Sequence, residues 1–326
     1  LAVTAFAAAG LALRLARGLL AAKPAVGVAL LVTVTTLDLA YNNGPSSSSA
    51  LPPTTYEVLE PRTSNATVGI LRGSVVENDR RRDRVELVGL GFHWPNASLT
   101  HGLENTLGYN PLRLALYSKA VGAEDHVGLP EQRKFSPLFP SYRSTLANLL
   151  GLRFIASPVP IEEIDHTLRP GDLVLLARTS DGYIYENPGA VDRVHFATQA
   201  RAADFGQMLR DGQWPAVDLS STVLLERAPT QPSPHRRGQV RLVSYQNTEV
   251  ILEVDSPDGG WAVLNDVWQP WWYVDLDGKP AELLRANVLF RAVAVPPGHH
   301  EVRFTFRPLQ GGWAELRQKL ASALQH

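Results

Sequence analysis

Cysteine is absent from the 326-residue sequence, and methionine occurs once. The absence of cysteine excludes disulfides, zinc–thiolate sites, iron–sulfur clusters and a cysteine nucleophile. An excess of charge of either sign is also missing, because 31 Lys and Arg residues balance 32 Asp and Glu residues, for a net charge of −1. A nucleic-acid-binding protein usually carries a basic excess, so we expect no nucleic acid among the partners.

Motifs of several common enzyme classes are missing as well. The sequence contains no Walker loop, no Rossmann glycine fingerprint and no nucleophile elbow. The composition is typical of a folded protein, because 44% of the residues are hydrophobic and 19% are charged. The length allows two or three domains. Since the sequence opens on Leu1 inside an apolar run, we expect it to be part of a longer protein.

The first 41 residues contain two apolar runs. The first covers 1–13, and the second covers 25–41, which would be about 26 Å long as a helix and close to the thickness of a membrane's hydrocarbon core. We interpret residues 1–41 as transmembrane helices, the first of them truncated. A soluble helical hairpin and a signal peptide are the alternatives, and the charges between the two runs argue against a signal peptide.

Those charges also predict an orientation. Arg14, Arg17 and Lys23 lie between the two runs, and short loops rich in Lys and Arg stay in the cytoplasm. Residues 42–326 are therefore expected to be extracytoplasmic. Asp38, one turn from the predicted exit of the second helix, is interpreted either as a solvated carboxylate or as a functional one.

The rest of the sequence divides into four parts by composition. The segment 42–55 is rich in Ser, Pro and Gly and is expected to be a linker. Residues 56–227 mix helix and strand patterns and are predicted to form a mixed α/β domain. Residues 238–308 consist of consecutive short strand patterns with turn signals, typical of an antiparallel β-sandwich. Residues 309–326 are predicted to form an amphipathic helix, so the fold class is α+β.

Local signals predict individual elements within these parts. Asn110-Pro111 is typical of a helix start, and residues 144–150 predict a second short helix. Asp181-Gly182, between two apolar runs, predicts a hairpin turn. Alternation of apolar and polar residues over 300–306 predicts a strand with one buried face. Residues 281–286 are predicted to form one strand.

Three segments together resemble a known family. They are HGLENTLGYNPLRLALY at 101–117, YENPGAVDRV at 185–194, and the run 260–308, which contains LNDVWQPWW, DLDG, RAN and FRAVAVPPGHH. In content and order they are similar to the extracytoplasmic part of YfhO-type bacterial membrane proteins, and LDL at 37–39 resembles the end of the preceding helix. Two departures are visible. Asp192-Arg193 stands where a Pro-Arg pair is usual, and the tail is an amphipathic helix instead of a further spanning one.

The resemblance implies a polytopic, glycosyltransferase-like protein of the GT-C type in the bacterial inner (cytoplasmic) membrane. It implies a lipid-linked sugar donor, and no other cofactor is evident. The expected partners are membrane lipid, a polyprenyl-phosphate sugar and an envelope glycan. By the same resemblance the acidic residue that serves as base or metal ligand would lie on an early extracytoplasmic loop before Leu1, so no catalytic residue is predicted here and this chain alone is not expected to be active. The alternative is a non-catalytic glycan- or partner-binding envelope module.

One polar and aromatic cluster is the best candidate for substrate binding in this chain. Aromatic, amide and guanidinium groups can hold a sugar ring or a diphosphate. The cluster consists of Glu104, Asn105, Tyr109, Asn110 and Arg113. The alternative is a structural turn, in which Asn110 and the following proline only start a helix.

Other polar groups have a simpler structural interpretation. His93 and His101 lie near Glu104, but nothing else supports a metal site, and none is predicted. The run 162–166 (EEIDH) is expected to be a solvated loop, with acid–base work as the alternative. The run 79–84 (DRRRDR) is expected to be a solvated loop with internal ion pairs. The tryptophans at 261, 268, 271 and 272 are expected in the core, with a membrane interface or a sugar platform as alternatives.

Overall fold

The computed structural model describes residues 14–15, 17–18, 21–42, 53–108, 113–122, 127–227 and 236–323. Within these ranges the chain belongs to the α+β class, with one apolar helix near the N-terminus and three β-sheets. It separates into two compact units, 1–57 and 58–326, and each is described by itself. The helix predicted over 1–13 and most of the predicted linker over 42–55 lie outside the described residues.

The first unit contains helix α1, Pro24–Asn42. Its 19 residues span about 28 Å, and Asp38 is its one charged residue. The helix is long and apolar enough to cross a membrane, and a signal sequence meets the same criterion. The Asp38 carboxylate is exposed and accepts a hydrogen bond from the Asn42 side-chain amide at 2.8 Å, which favours the solvated interpretation of this residue.

The described residues of the second unit form six α-helices and, in addition, the short 3-10 helices Pro130–Gln132 and Ile161–Glu163. The α-helices are α2 Ala66–Ser74, α3 Trp94–Thr100, α4 Ala115–Val121, α5 Thr145–Leu149, α6 Phe205–Asp211 and α7 Pro308–Ala323. The Ser144 hydroxyl oxygen caps α5 by accepting a hydrogen bond from the Ala147 backbone N–H at 3.3 Å, and the predicted helix at 144–150 is confirmed. The helix start predicted at Asn110-Pro111 lies outside the described residues, and α4 begins after it.

The same unit contains sixteen strands among its described residues. They are β1 Arg84–Leu87, β2 Glu104–Asn105, β3 Leu152–Ser157, β4 Val174–Arg178, β5 Tyr183–Glu186, β6 Val194–Ala197, β7 Gln199–Ala202, β8 Thr222–Leu225, β9 Gln239–Tyr245, β10 Glu249–Ser256, β11 Gly260–Leu264, β12 Trp272–Leu276, β13 Lys279–Ala281, β14 Leu284–Ala286, β15 Phe290–Val295 and β16 Gly298–Phe306. They pair in three sheets.

The first sheet is mixed and has the strand order β2-β1-β3-β5-β4. β1 pairs in parallel with both β2 and β3, whereas β5 pairs antiparallel with β3 and β4. The predicted hairpin turn at Asp181-Gly182 joins β4 to β5. Gly182 has a φ of 142°, a backbone conformation that favours glycine. Turn chemistry therefore sets this hairpin, as the sequence predicts.

Helices cover both faces of the mixed sheet. On one face, Leu71 of α2 and Trp94 of α3 share a hydrophobic cluster with Phe154 of β3. On the other, residues of α4, α5 and α6 share a cluster with Ile155 of β3 and Tyr185 of β5. Since neighbouring strand residues point to opposite faces, β3 is buried along its whole length.

The second sheet has six strands in the order β6-β11-β15-β14-β8-β7. Its pairs are antiparallel except β7 with β8, which is parallel. The sheet curls into a half-barrel, and β7 at one end contacts β11 near the other. β6, β7 and β8 precede residues 228–235, whereas β11, β14 and β15 follow them. Chain segments from both sides of 228–235 therefore build one sheet.

The third sheet is antiparallel throughout, with the order β13-β12-β16-β10-β9. In β16, Val302 and Phe304 are buried while Glu301 is exposed, so the predicted alternation is confirmed. Its inward side chains and those of the half-barrel belong to one hydrophobic cluster, with Phe196 and Val293 from the half-barrel meeting Val254 and Phe304. This shared core holds the two sheets face to face.

Two predicted elements differ from the structure. The single strand predicted over 281–286 is two strands, because the chain leaves the antiparallel sheet after β13 and enters the half-barrel at β14. The tail helix begins earlier than its predicted boundary, at Pro308, a residue that suits the first turn of a helix. On α7, Trp313 and Leu316 are exposed.

Candidate functional site

Glu104, the first residue of the predicted binding cluster, has its carboxylate among three arginines. Its Oε1 accepts a hydrogen bond from Arg82 Nε at 2.9 Å, and its Oε2 accepts one from Arg193 Nη2 at 2.6 Å. Arg84 Nε is 3.7 Å from Oε2. The parallel pairing of β2 with β1 places Glu104 opposite Arg84, so backbone register sets this part of the arrangement.

Asp266, just after β11, is the second carboxylate at this place. Its Oδ1 accepts hydrogen bonds from Arg84 Nη2 at 2.7 Å and from Arg193 Nη1 at 2.8 Å. Its Oδ2 accepts one from the Tyr245 hydroxyl at 2.8 Å and lies 3.5 Å from Arg291 Nη2. Arg193 therefore bridges the two carboxylates, with one nitrogen of its planar guanidinium fork on each.

These side chains form one group that we name the Glu104–Asp266 cluster. Its members are Arg82, Arg84, Glu104, Arg193, Tyr245, Asp266 and Arg291. Arg193 and Asp266 are almost completely buried. The cluster contains residues of β1 and β2 in the mixed sheet, of β9 in the antiparallel sheet and of β15 in the half-barrel, so it connects all three sheets.

Both carboxylates of the cluster hold their negative charge. Burial raises the pKa of Asp266, but Arg193, Arg291 and Arg84 outweigh it and hold the pKa well below its ordinary value. Burial likewise raises the pKa of Glu104, but Arg193, Arg84 and Arg82 outweigh burial and hold this pKa below its ordinary value. Burial and Asp266 together raise the pKa of Tyr245, whose hydroxyl stays protonated and donates.

This electrostatic arrangement limits the chemistry of the cluster. A general acid or base works best with a pKa near the operating pH. Carboxylates whose pKa lies below the ordinary range exchange no proton at neutral pH, and here their oxygens are occupied by arginines. The cluster is built to hold three sheets in register rather than to transfer protons.

Of the other predicted site residues, Asn105 is next to Glu104 in β2. Its Oδ1 accepts hydrogen bonds from the backbone N–H groups of Leu87 and Leu107, each at 3.2 Å. The Asn105 amide oxygen thus joins the end of β1 to the backbone just after β2. Arg113 is half-buried and lies immediately before Leu114, the residue that precedes α4. Tyr109 and Asn110 lie outside the described residues.

The run 79–84 differs from its prediction as an internally paired, solvated loop. One ion pair is internal, between Arg81 and Asp83 at 2.7 Å, and Asp83 is buried. The other arginines find partners far along the chain: Arg80 pairs with Asp192, and Arg82 and Arg84 enter the Glu104–Asp266 cluster. Local charge balance cannot reveal partners that only the fold brings close.

A second buried polar group, absent from the sequence prediction, surrounds Glu86 of β1. Its Oε1 accepts hydrogen bonds from Arg133 Nε and from the Tyr142 hydroxyl, both at 2.7 Å. Its Oε2 accepts one from the Thr106 hydroxyl at 2.7 Å. We name these four residues the Glu86 cluster. An acidic residue inside the apolar strand pattern VELVGL was the sequence signal that could have indicated it.

The remaining candidates have structural roles. Asp165, in the run 162–166, is buried and accepts hydrogen bonds from the Ser141 hydroxyl and the Tyr142 backbone N–H, at 2.7 and 2.9 Å. The solvated loop predicted for 162–166 is therefore wrong at Asp165, and Ile161–Glu163 form a short 3-10 helix. Trp261 is buried in the half-barrel, and the Arg291 guanidinium lies 3.9 Å from the centre of the Trp272 ring. The core position predicted for the tryptophans holds for Trp261, whereas Trp268, Trp271 and Trp272 are half-buried.

The two histidines considered for a metal site are not brought together as ligands. His101 Nε2 lies 2.7 Å from the Val58 carbonyl oxygen, a hydrogen-bond distance, and the ring is buried. In the part of the chain that the structure describes, no three His, Asp or Glu side chains are grouped to hold a metal ion.

Comparison with family models, with curated proteins and with solved structures finds no match to this chain. The geometry of the two clusters therefore has to carry the functional argument. Glu104, Arg193 and Asp266 come from sequence segments 101–117, 185–194 and 260–308, one residue from each, and they meet through two direct hydrogen-bonded contacts of Arg193.

Proposed function

We propose that this chain is the membrane-anchored, extracytoplasmic part of a bacterial envelope protein of the YfhO type, similar to glycosyltransferases that use lipid-linked sugars. In this proposal α1 crosses the inner membrane and residues 42–326 lie outside. The half-barrel and the antiparallel sheet act as a β-sandwich, and together with the mixed sheet they assist binding of a polyprenyl-phosphate sugar or of an envelope glycan.

The meeting of the three resembling segments at Arg193 is the observation that carries this proposal. Segments that merely share a few residue types with a family have no reason to converge in three dimensions. Here Arg193 joins a carboxylate of the first segment to a carboxylate of the third, at 2.6 and 2.8 Å. Shared contacts of this kind support the interpretation that the three segments belong to one inherited arrangement.

A non-catalytic module that binds a glycan or a partner protein is the second candidate. The lowered pKa values of Glu104 and Asp266 agree with it, because neither carboxylate is available for acid–base work and this chain is then a binding part, as it also is in the first candidate. The two candidates share the membrane anchor and differ in whether a sugar is transferred by the protein that contains this chain.

The membrane placement can be tested by cysteine labelling, which the cysteine-free sequence makes simple. Lys279→Cys, on the exposed strand β13, should react with a membrane-impermeant maleimide on intact spheroplasts. Ala22→Cys, beside the basic residues before α1, should react only after permeabilisation. The reverse labelling pattern would refute the proposal, as would a shortened product released from the membrane, which indicates a cleaved signal sequence.

The transfer function needs a separate test in the bacterium that encodes the chain. Deleting the gene should remove one sugar substituent from an envelope polymer, and the wild-type gene should restore it. Compositional analysis of the purified polymers measures this. Unchanged sugar composition, with the labelling pattern above intact, would reject transfer and favour the binding module.

A further inference from the structure

A cleft of about 160 Å³ lies beside β6, and its lining contains no residue of the Glu86 cluster or of the Glu104–Asp266 cluster. Its polar lining consists of Arg80, Asp192, His195, Ser220 and Arg237, and three aliphatic side chains form the rest of the wall. Arg80 precedes β1, and Asp192 and His195 lie just before and within β6. Ser220 precedes β8, and Arg237 precedes β9. Four distant parts of the sequence thus converge on one small space.

His195 is the feature of the cleft that calls for a ligand. β6 turns Val194 and Phe196 toward the shared core, so the imidazole of His195 points to the opposite face of the strand. Its Nε2 is buried and has no hydrogen-bond partner among the described residues. Buried polar atoms are nearly always paired, so an orphaned nitrogen in a cleft marks a place where a polar ligand would complete the structure.

The charges around the cleft favour an anion. Arg80 and Arg237 are both exposed at its edge. Arg80 is paired with Asp192 at 2.9 Å, which leaves the lining with one positive charge in excess. Arg237 donates a hydrogen bond from Nη2 to the Ser220 carbonyl oxygen at 3.3 Å, an uncharged partner that holds the guanidinium beside the cleft without neutralising it. Burial and the nearby Arg237 lower the pKa of His195 to about 4, so the imidazole itself is neutral at pH 7.

The size and the number of donors narrow the class of anion. A water molecule takes about 30 Å³ of liquid, so the cleft has room for about five, whereas drug-sized ligands occupy sites of about 300–1,000 Å³. The donors are two guanidinium groups and one imidazole from separate segments. A planar carboxylate offers two oxygens, while a tetrahedral phosphate offers three or four and so can serve all three donors.

We infer that this cleft binds a phosphate group, either as free phosphate or as the phosphate of a sugar or of a lipid headgroup, with Arg80, His195 and Arg237 as its donors. The inference goes beyond the proposed function, because it concerns a site apart from the Glu104–Asp266 cluster and does not depend on where the chain lies relative to a membrane. Failure of the labelling test above would leave it standing, and the reverse also holds.

Binding can be measured by isothermal titration of the full chain in detergent, with inorganic phosphate as the probe and acetate as the planar comparison. Arg237→Gln should weaken phosphate binding about tenfold or more, because a charged donor is lost from an exposed position that folding does not require. Arg241→Gln is the matched control: it is a similarly exposed arginine four residues away, and it pairs with Glu253 instead of lining the cleft. It should bind phosphate as the wild type does.

A second variant tests the imidazole. His195→Gln should weaken phosphate binding, and in the wild-type chain phosphate should shift the ¹⁵N resonance that this substitution removes. Glycerol 3-phosphate and glucose 1-phosphate then distinguish the sources. If glycerol 3-phosphate binds more tightly than inorganic phosphate, the ligand is a lipid headgroup. If glucose 1-phosphate does, the ligand is a sugar phosphate. If neither binds more tightly, the ligand is free phosphate. Absence of phosphate binding, or equal affinities in the wild type, Arg237→Gln and His195→Gln, would overturn the inference.

Discussion

The Glu86 cluster, which is buried, and the Glu104–Asp266 cluster, which is buried at Asp266 and half-buried at Glu104, are both centred on carboxylates, yet they connect very different stretches of chain. The Glu86 cluster joins residues that all lie between 86 and 142 in the sequence. The Glu104–Asp266 cluster includes a hydrogen bond between Arg84 and Asp266, 182 residues apart. The Glu86 cluster connects β1 of the mixed sheet with chain segments that follow it closely in the sequence. The Glu104–Asp266 cluster connects the three sheets with one another.

The comparison teaches how a fold of this size is held together. A buried ion pair is weak evidence of net stability, because desolvating the charges costs about as much as their attraction returns. Its value lies in specifying which surfaces meet. Aliphatic side chains of the shared core would tolerate several sheet arrangements, whereas the fork of Arg193 accepts only one placement of Glu104 and Asp266.

The largest effect is expected from Arg193→Met, which leaves the buried carboxylate of Asp266 and the half-buried one of Glu104 each short of a countercharge. We expect the free energy of unfolding to fall by about 5 kcal/mol, the upper end for breaking a buried ion pair. Urea denaturation followed by tryptophan fluorescence measures it. If this variant does not fold, Arg193→Lys keeps the charge but loses the planar fork and should cost less. A loss below about 1 kcal/mol for Arg193→Met, the size expected of a surface ion pair, would contradict the role assigned to the cluster.

Glu86→Gln should have a smaller effect and a different signature. The substitution keeps the shape and one acceptor, but it leaves the buried guanidinium of Arg133 without its carboxylate, at a cost of about 3 kcal/mol. Because the cluster lies within one layer, the midpoint of the urea transition should move while its slope stays the same. For Arg193→Met, by contrast, a reduced slope would indicate that the sheets no longer unfold together. Equal slopes in both variants would remove the distinction between the two clusters.

The smallest effect concerns His195, a half-buried side chain whose buried Nε2 has no hydrogen-bond partner among the described residues. Its pKa is lowered from 6.5 to about 4 by burial and by Arg237, so below pH 6.5 the unfolded chain binds a proton that the folded chain refuses. Stability should therefore fall as the pH is lowered from 6.5 toward 4, by about 2 kcal/mol. Asp192 and Arg80, which form an ion pair at 2.9 Å, and Arg237 line the same cleft.

Thermal denaturation of wild type and His195→Gln in phosphate-free buffer, at intervals between pH 4 and 7, isolates this contribution. The variant should lose less stability than the wild type over that interval. A parallel decline of both proteins would show that the imidazole is already protonated in the folded state.

Local patterns in the sequence predicted much of the secondary structure. The helix predicted at 144–150, the hairpin turn at Asp181-Gly182 and the alternation over 300–306 are all present in the structure. The signals for them were helix-favouring residues, a turn dipeptide and alternation of apolar and polar residues, all of which act between neighbouring residues. Where the physical cause is local, a single sequence contains it.

Sheet membership and charge partners could not be read in the same way. Nothing within 281–286 indicates that the chain changes sheets there. Nothing near Glu104 indicates that Arg193 will occupy its carboxylate. The sequence indicates Glu104 as a binding residue because amide and aromatic groups lie beside it, whereas the arginines that surround its carboxylate come from positions up to 89 residues away. Long-range pairing of this kind depends on the whole fold.

The shared half-barrel has a consequence for any cut in the chain between Arg227 and Arg236. Such a nick would separate β6 and β8 from β11 and β14 covalently, but the backbone ladders between them would remain. The two polypeptides would remain associated through these strand pairs. Neither would fold alone, because each supplies strands with which the strands of the other pair.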